Sequence, residues 1–139
     1  MRIHPFVLAV VVGLMASSGV QAGHHDLTVL YERDRTMTLT GSVSAVQWTN
    51  PHVVVTLAVD TPAKLAWRIE LDPPGALGRR QISQDQFKAG ATVTVVAHPA
   101  KDGGASAFAK TVTLPSGQQL VTSSDASWNW RPISKESPR

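Results

Sequence analysis

The chain has no cysteine among its 139 residues, which removes disulfides, a cysteine nucleophile and a thioether lipid anchor from consideration. A domain of about a hundred residues buries enough apolar surface to fold without such staples. Strong charge of either sign is also absent: the net charge is +3, and the basic residues are scattered rather than aligned with interleaved aromatics. A nucleic-acid-binding face requires that alignment, so no nucleic-acid partner is expected. There is no Gly-x-Ser-x-Gly elbow, no phosphate-cradling glycine loop, and no carboxylate pair spaced usefully near a histidine. No catalytic constellation can be named, and the protein is not expected to be an enzyme. Nor does any apolar run approach the roughly 18 residues needed to span a bilayer.

The longest apolar stretch, Phe6 to Ala16, follows a short segment bearing Arg2 and precedes the small-x-small site Val20-Gln21-Ala22. These are the three parts of a secretory signal, with cleavage expected after Ala22. Residues 1–22 are then a signal peptide and 23–35 a segment carrying a histidine pair. Residues 36–121 form the folded domain, and 122–139 a mobile tail anchored at most by Trp128 and Trp130. The processed chain of 117 residues (139 less 22) is expected in the periplasm or secreted, and not embedded in a membrane.

From Thr36 the hydrophobic period is two, which marks β-structure. Met37, Leu39, Gly41 and Val43 alternate with polar residues, and the apolar phase then slips by one at Ala45 and Val46. A slip beside a glycine predicts a bulged, coiled first strand. Further strands are expected over about 52–59, 63–71, 91–98 and 106–114, after which "PSG" makes a last turn into "QQLV". In "DPPGALGRRQ" the prolines and glycines exclude a strand, and Ser83 with Gln86 resembles a capping box opening one short helix that ends at Gly90. Three strands, a short helix and a hairpin give an all-β class: a small five-stranded Greek-key barrel of the oligonucleotide/oligosaccharide-binding (OB) type. A small open β-sandwich is the alternative.

The histidines carry the most chemical information. Cleavage after Ala22 would leave Gly23-His24-His25 at the amino terminus. The Gly23 amine, two deprotonated amides and the His25 imidazole can then close a square plane of four nitrogens, a geometry that favours Cu(II) or Ni(II). His52 lies in "WTNPH" at the turn between the first two strands, and His98 ends the fourth. In an OB-type barrel those two loops border the binding face, so His52, and less directly His98, are further candidate ligands. Trp48 and Asn50 flank the same turn and are candidates for contact with a ligand. Glu70 and the other carboxylates read as structural, Glu70 as a salt-bridge partner near Arg68 or of Arg80.

The segments "GHHD", "LTGSVSAVQWTNPHVVVTLAV", "AWRIEL", "PPGALGRR", "FKAGATVTVVAHPAKDG" and "VTLPSGQQL", in this order, resemble the small exported bacterial family known as domain of unknown function 6152. The chain has Asp26 where that family typically has serine, and Gln81-Ile82 where it has Gly-Trp. The resemblance implies export, a compact β-rich domain, and a functional neighbourhood of His24, His25, Trp48, Asn50 and His52. It implies no reaction. Two functional expectations follow: a periplasmic module binding a transition metal, most plausibly copper, through its terminal histidines; or an accessory module binding a protein, glycan or small ligand on the barrel face without metal.

Overall fold

A computed structural model describes residues 26–128. Six strands form its sheet: β1 (Met37–Gln47), β2 (Val54–Val59), β3 (Ala66–Glu70), β4 (Thr92–Pro99), β5 (Ser106–Thr113) and β6 (Gln119–Val121). Their order is β3-β2-β1-β4-β5-β6, and an additional parallel pairing of β3 with β5 closes the first five into a barrel. This is the OB-type architecture, with β6 appended to the far half of β5.

Closure depends on the coiling of β1. Its first half pairs with β4 and its second with β2, and Gly41 and Ser42 take part in both ladders. A Cβ at Gly41 would stand 2.7 Å from the Ala58 carbonyl oxygen, so only glycine permits the strands to approach this closely. The register with β2 then jumps from Val43 to Ala45, leaving Ser44 as the extra residue of a bulge; its hydroxyl donates to the Thr56 carbonyl at 3.1 Å. A second bulge, at Lys110 in β5, has no signature in the hydrophobic pattern.

The alternating residues Leu39, Val43, Val53, Val55, Leu57, Ile69, Val93, Val95 and Val112 fill the barrel interior. Leu65, expected to continue that face, falls in the turn before β3 and is exposed. The helix between β3 and β4 is α2 (Pro74–Arg79), set earlier in the chain than Ser83 suggests. Pro74 occupies the first helical turn, where a missing N–H costs nothing, and Leu77 plugs the barrel with no exposed surface. Ser83 does open a helical turn, but only a 3₁₀ one (Gln84–Gln86), in which the Ser83 amide donates to Gln86 Oε1 at 3.0 Å.

A second, smaller cluster lies outside the barrel. Ala107, Phe108 and Ala109 are all buried although they alternate across β5, so both faces of the strand are covered here. Phe108 points outward and is capped by Leu27 and Tyr31, from and just after α1 (Leu27–Leu30), and by Trp128 of α3 (Asp125–Trp128). The chain beyond β6, expected to be mobile, is therefore packed as far as Trp128. Thr122 is fully buried with its hydroxyl donating to the Ala109 carbonyl, and Trp128 meets Phe108 edge-on at 5.6 Å. Burying a ring of this size contributes roughly 1.5–3 kcal/mol, enough to hold a four-residue helix that has no stability alone. Trp130 lies outside the described residues.

Gly41→Ala is expected to destabilise the protein by about 1–3 kcal/mol in urea unfolding, because the added methyl meets backbone rather than a movable side chain. Gly78→Ala in α2, where a Cβ meets nothing within 4 Å, serves as the control and is expected to be neutral or to stabilise by up to about 1 kcal/mol.

Candidate functional site

The turn between β1 and β2 carries a cis Asn50-Pro51 bond and delivers His52 to the outer surface of the barrel beside the end of β3. Val53 and Leu71 are joined by a backbone hydrogen bond of 2.8 Å, and Val54 pairs with Glu70. Strand alternation then puts Ile69 and Leu71 inside the barrel and Glu70 outside it, where His52 Nδ1 stands 3.4 Å from Glu70 Oε2. Arg68, two residues away on the same face, donates through Nη1 to Glu70 Oε1. The Glu70 and His52 side chains are only 10% and 14% exposed, so this is a shielded pair rather than a surface contact.

Burial opposes ionisation of Glu70, but the hydrogen bonds from His52 and Arg68 outweigh it and hold the carboxyl at about 2. The carboxylate therefore accepts at neutral pH, and the His52 nitrogen that faces it, Nδ1, donates. Nε2 has no hydrogen-bond partner among the described residues. Burial pushes the nearby Tyr31 phenol up to about 12, so it stays neutral; its hydroxyl lies 3.3 Å from Ser106 Oγ.

His52 also lines a cleft of about 290 Å³, bounded by Leu27 of α1, by Pro73, Ala76 and Arg79 of the α2 region, and by Ser124 and Ser127 beside α3. Asp72, buried at the cleft floor, accepts from Arg80 Nη1 at 2.9 Å and from Ser127 Oγ at 2.9 Å. Arg80 Nη2 donates to Ser124 Oγ at 3.3 Å. This network ties the two short helices to the end of β3. Arg80, expected as a partner for Glu70, thus pairs with Asp72, and Glu70 takes Arg68 and His52.

The other expected site residues are placed differently. His98 is buried, and its Nδ1 donates to the carbonyls of Glu32 (3.2 Å) and Arg35 (3.0 Å) while its ring packs edge-on against Trp128 at 4.8 Å. It is a strap for the segment before β1, with one nitrogen committed to backbone. Phe108 stands between the two histidines: its ring lies 6.0 Å from His52, and it pairs with His98 across the β4–β5 ladder. Trp48 is half-buried against Phe87, ring centroids 5.9 Å apart, and Asn50 is exposed. Gly23, His24 and His25 lie outside the described residues. Among the described residues no three His, Cys, Asp or Glu side chains gather as a metal cluster, and no helix is long and apolar enough to cross a membrane.

Sequence reasoning missed Asp72, Arg79 and Arg80 as neighbours of His52. The signal was available in part: pairing "PHVVV" with "WRIEL" as an antiparallel hairpin sets His52 beside Glu70. Nothing in the pattern announced that α2 would fold back over the same spot.

The depressed Glu70 pKa carries a pH dependence. Its folded value lies below the unfolded 4.5, so the stabilisation is complete above about pH 5 and is lost as pH falls towards 2. Solvent reaches Arg68, which reduces the contribution to about 1–2 kcal/mol. Urea midpoints measured at pH 7 and pH 3 are expected to differ by less in Glu70→Gln than in the wild type; an equal acid-induced loss in both would show that Glu70 is not the group responsible.

Comparison with proteins of curated function returns no match. The model of a family of unknown function (DUF6152) matches residues 11–109, a span that takes in the turn bearing His52, β3 with Glu70, α2 and most of the barrel, and the chain belongs to that family.

Proposed function

We propose that the protein is an exported copper-binding module whose site combines the amino-terminal histidines with His52. The observation that carries this reading is that the first described turn, α1, and His52 line the same cleft. Asp26 caps α1 by accepting from the Thr28 amide at 2.9 Å, and Leu27, immediately after it, packs into the cleft wall. The segment is fastened there by the Tyr31–Ala100 bridge and by the Lys101 amide donating to the Leu30 carbonyl at 2.9 Å. Two peptide links, at most about 7 Å between Cα atoms at full stretch, separate His25 from Leu27.

The state of His52 supports the same reading. An imidazole whose Nδ1–H is held by a carboxylate has a fixed ring and tautomer and a more basic Nε2, the usual arrangement of a ligating histidine. Amine, amide and imidazole nitrogens are the donors that suit Cu(II) or Ni(II). A barrel-face module using Trp48 and Asn50 is the competing outcome of the test below.

Intact mass of the exported protein is expected to place the terminus at Gly23. Cu(II) titration, followed by visible absorption and electron paramagnetic resonance, is expected to show one ion per chain, with binding strongly weakened in His25→Ala and weakened about 10- to 100-fold in His52→Ala. Equal affinity of wild type and His25→Ala would overturn the copper reading. Partner capture that survives removal of residues 23–26 but is lost in Trp48→Ala would establish the interaction module instead.

A further inference from the structure

We propose that the cleft beside His52 is a binding site for a small organic carboxylate, with Arg79 as its main anchor. The volume of about 290 Å³ is at the lower end for small-molecule sites, and the walls combine apolar surface with a few convergent polar groups, as such sites do. Leu27, Pro73 and Ala76 supply the apolar part.

The polar groups differ in what they have left to offer. Asp72 is neutralised by Arg80, whose second terminal nitrogen is committed to Ser124. Ser127 donates its own proton to Asp72, so it has none for a ligand. Ser124 Oγ accepts from Arg80, which leaves its hydroxyl proton free to donate. Arg79, in the last turn of α2, has no ion-pair partner among the described residues. With Asp72 against Arg79 and Arg80, the lining carries one net positive charge.

One uncommitted guanidinium fork, one hydroxyl donor and apolar walls match a carboxylate on a small carbon body. The fork binds both oxygens of a carboxylate in one plane, and the walls exclude water from the remainder. Inorganic phosphate presents more charge than one free cation satisfies and no apolar surface for Leu27 and Ala76 to cover. The inference does not rest on the copper reading, since neither Arg79 nor Ser124 is a metal ligand.

The test uses the processed, metal-free protein at constant ionic strength. Titration with sodium butyrate, a monocarboxylate with a short apolar body, followed by amide chemical shifts, is expected to give saturable changes confined to the cleft, at residues 27, 52, 75–80 and 124–127. Arg79→Ala, a change at an exposed position, is expected to weaken binding at least tenfold, while Lys88→Ala, an exposed cation elsewhere, leaves it unchanged. Shifts that stay linear with concentration, equal binding by Arg79→Ala, or phosphate binding as tightly as butyrate would each overturn the proposal. Because no metal is present, its failure is distinguishable from failure of copper binding.

Discussion

The parallel pairing of β3 with β5 is the constraint on which the rest of the molecule depends. Three residue pairs, Arg68 with Ser106, Ile69 with Ala107 and Glu70 with Phe108, convert a curved sheet into a closed barrel. Closure leaves those strands no edge to protect, but it also creates an outer surface where an acid and a large aromatic ring stand side by side. An exposed phenylalanine beside a half-satisfied carboxylate is costly on both counts, and the segments flanking the barrel resolve each cost separately. α1 and α3 cover the ring; His52 and Arg68 satisfy the acid.

Seen this way, the amino-terminal segment and the residues after β6 are parts of the fold. Leu27, Tyr31 and Trp128 have little to bury against except Phe108 and one another, and His98 locks the intervening chain by bonding two of its carbonyls. The helices involved have four residues each, too short to persist without tertiary contacts. Their order comes from the aromatic cluster, which links the exit of the amino-terminal residues to the wall of the His52 cleft.

The barrel was legible in the sequence because its strands obey a two-residue period and its main irregularity falls beside a glycine. The slip at Ala45 and the closeness required at Gly41 are visible as a phase change and a missing side chain. What was not legible depended on contacts between distant segments. Pro74 reads as a breaker in isolation and becomes the first turn of α2 only because Leu77 has a barrel end to fill. The residues after Thr122 carry too few apolar side chains to suggest burial, and the partner that buries them, Phe108, is itself outward-facing on a strand whose period hides that fact. The candidate site shows the same division: His52 stands out by its turn, whereas its cationic neighbours Arg79 and Arg80 arrive through α2.

Glu70 and Asp72, two residues apart at the end of β3, organise that site between them. Each is buried, and each draws basic and hydroxyl groups from a different part of the chain: His52 and Arg68 to the first, Arg80 and Ser127 to the second. A buried carboxylate that lost its partners would face a desolvation penalty of several kcal/mol, so these contacts fix the positions of the loop and both helices more firmly than apolar packing alone. Their chemical consequence is selective. Groups consumed by the two acids become scaffold, and those left over, the Nε2 of His52, the guanidinium of Arg79 and the hydroxyl proton of Ser124, are the ones free to meet a ligand. The chemical character of the cleft therefore follows from its own ion pairs: two acids matched by basic partners, one guanidinium without an ion-pair partner among the described residues, and one imidazole whose Nδ1 is taken up by Glu70.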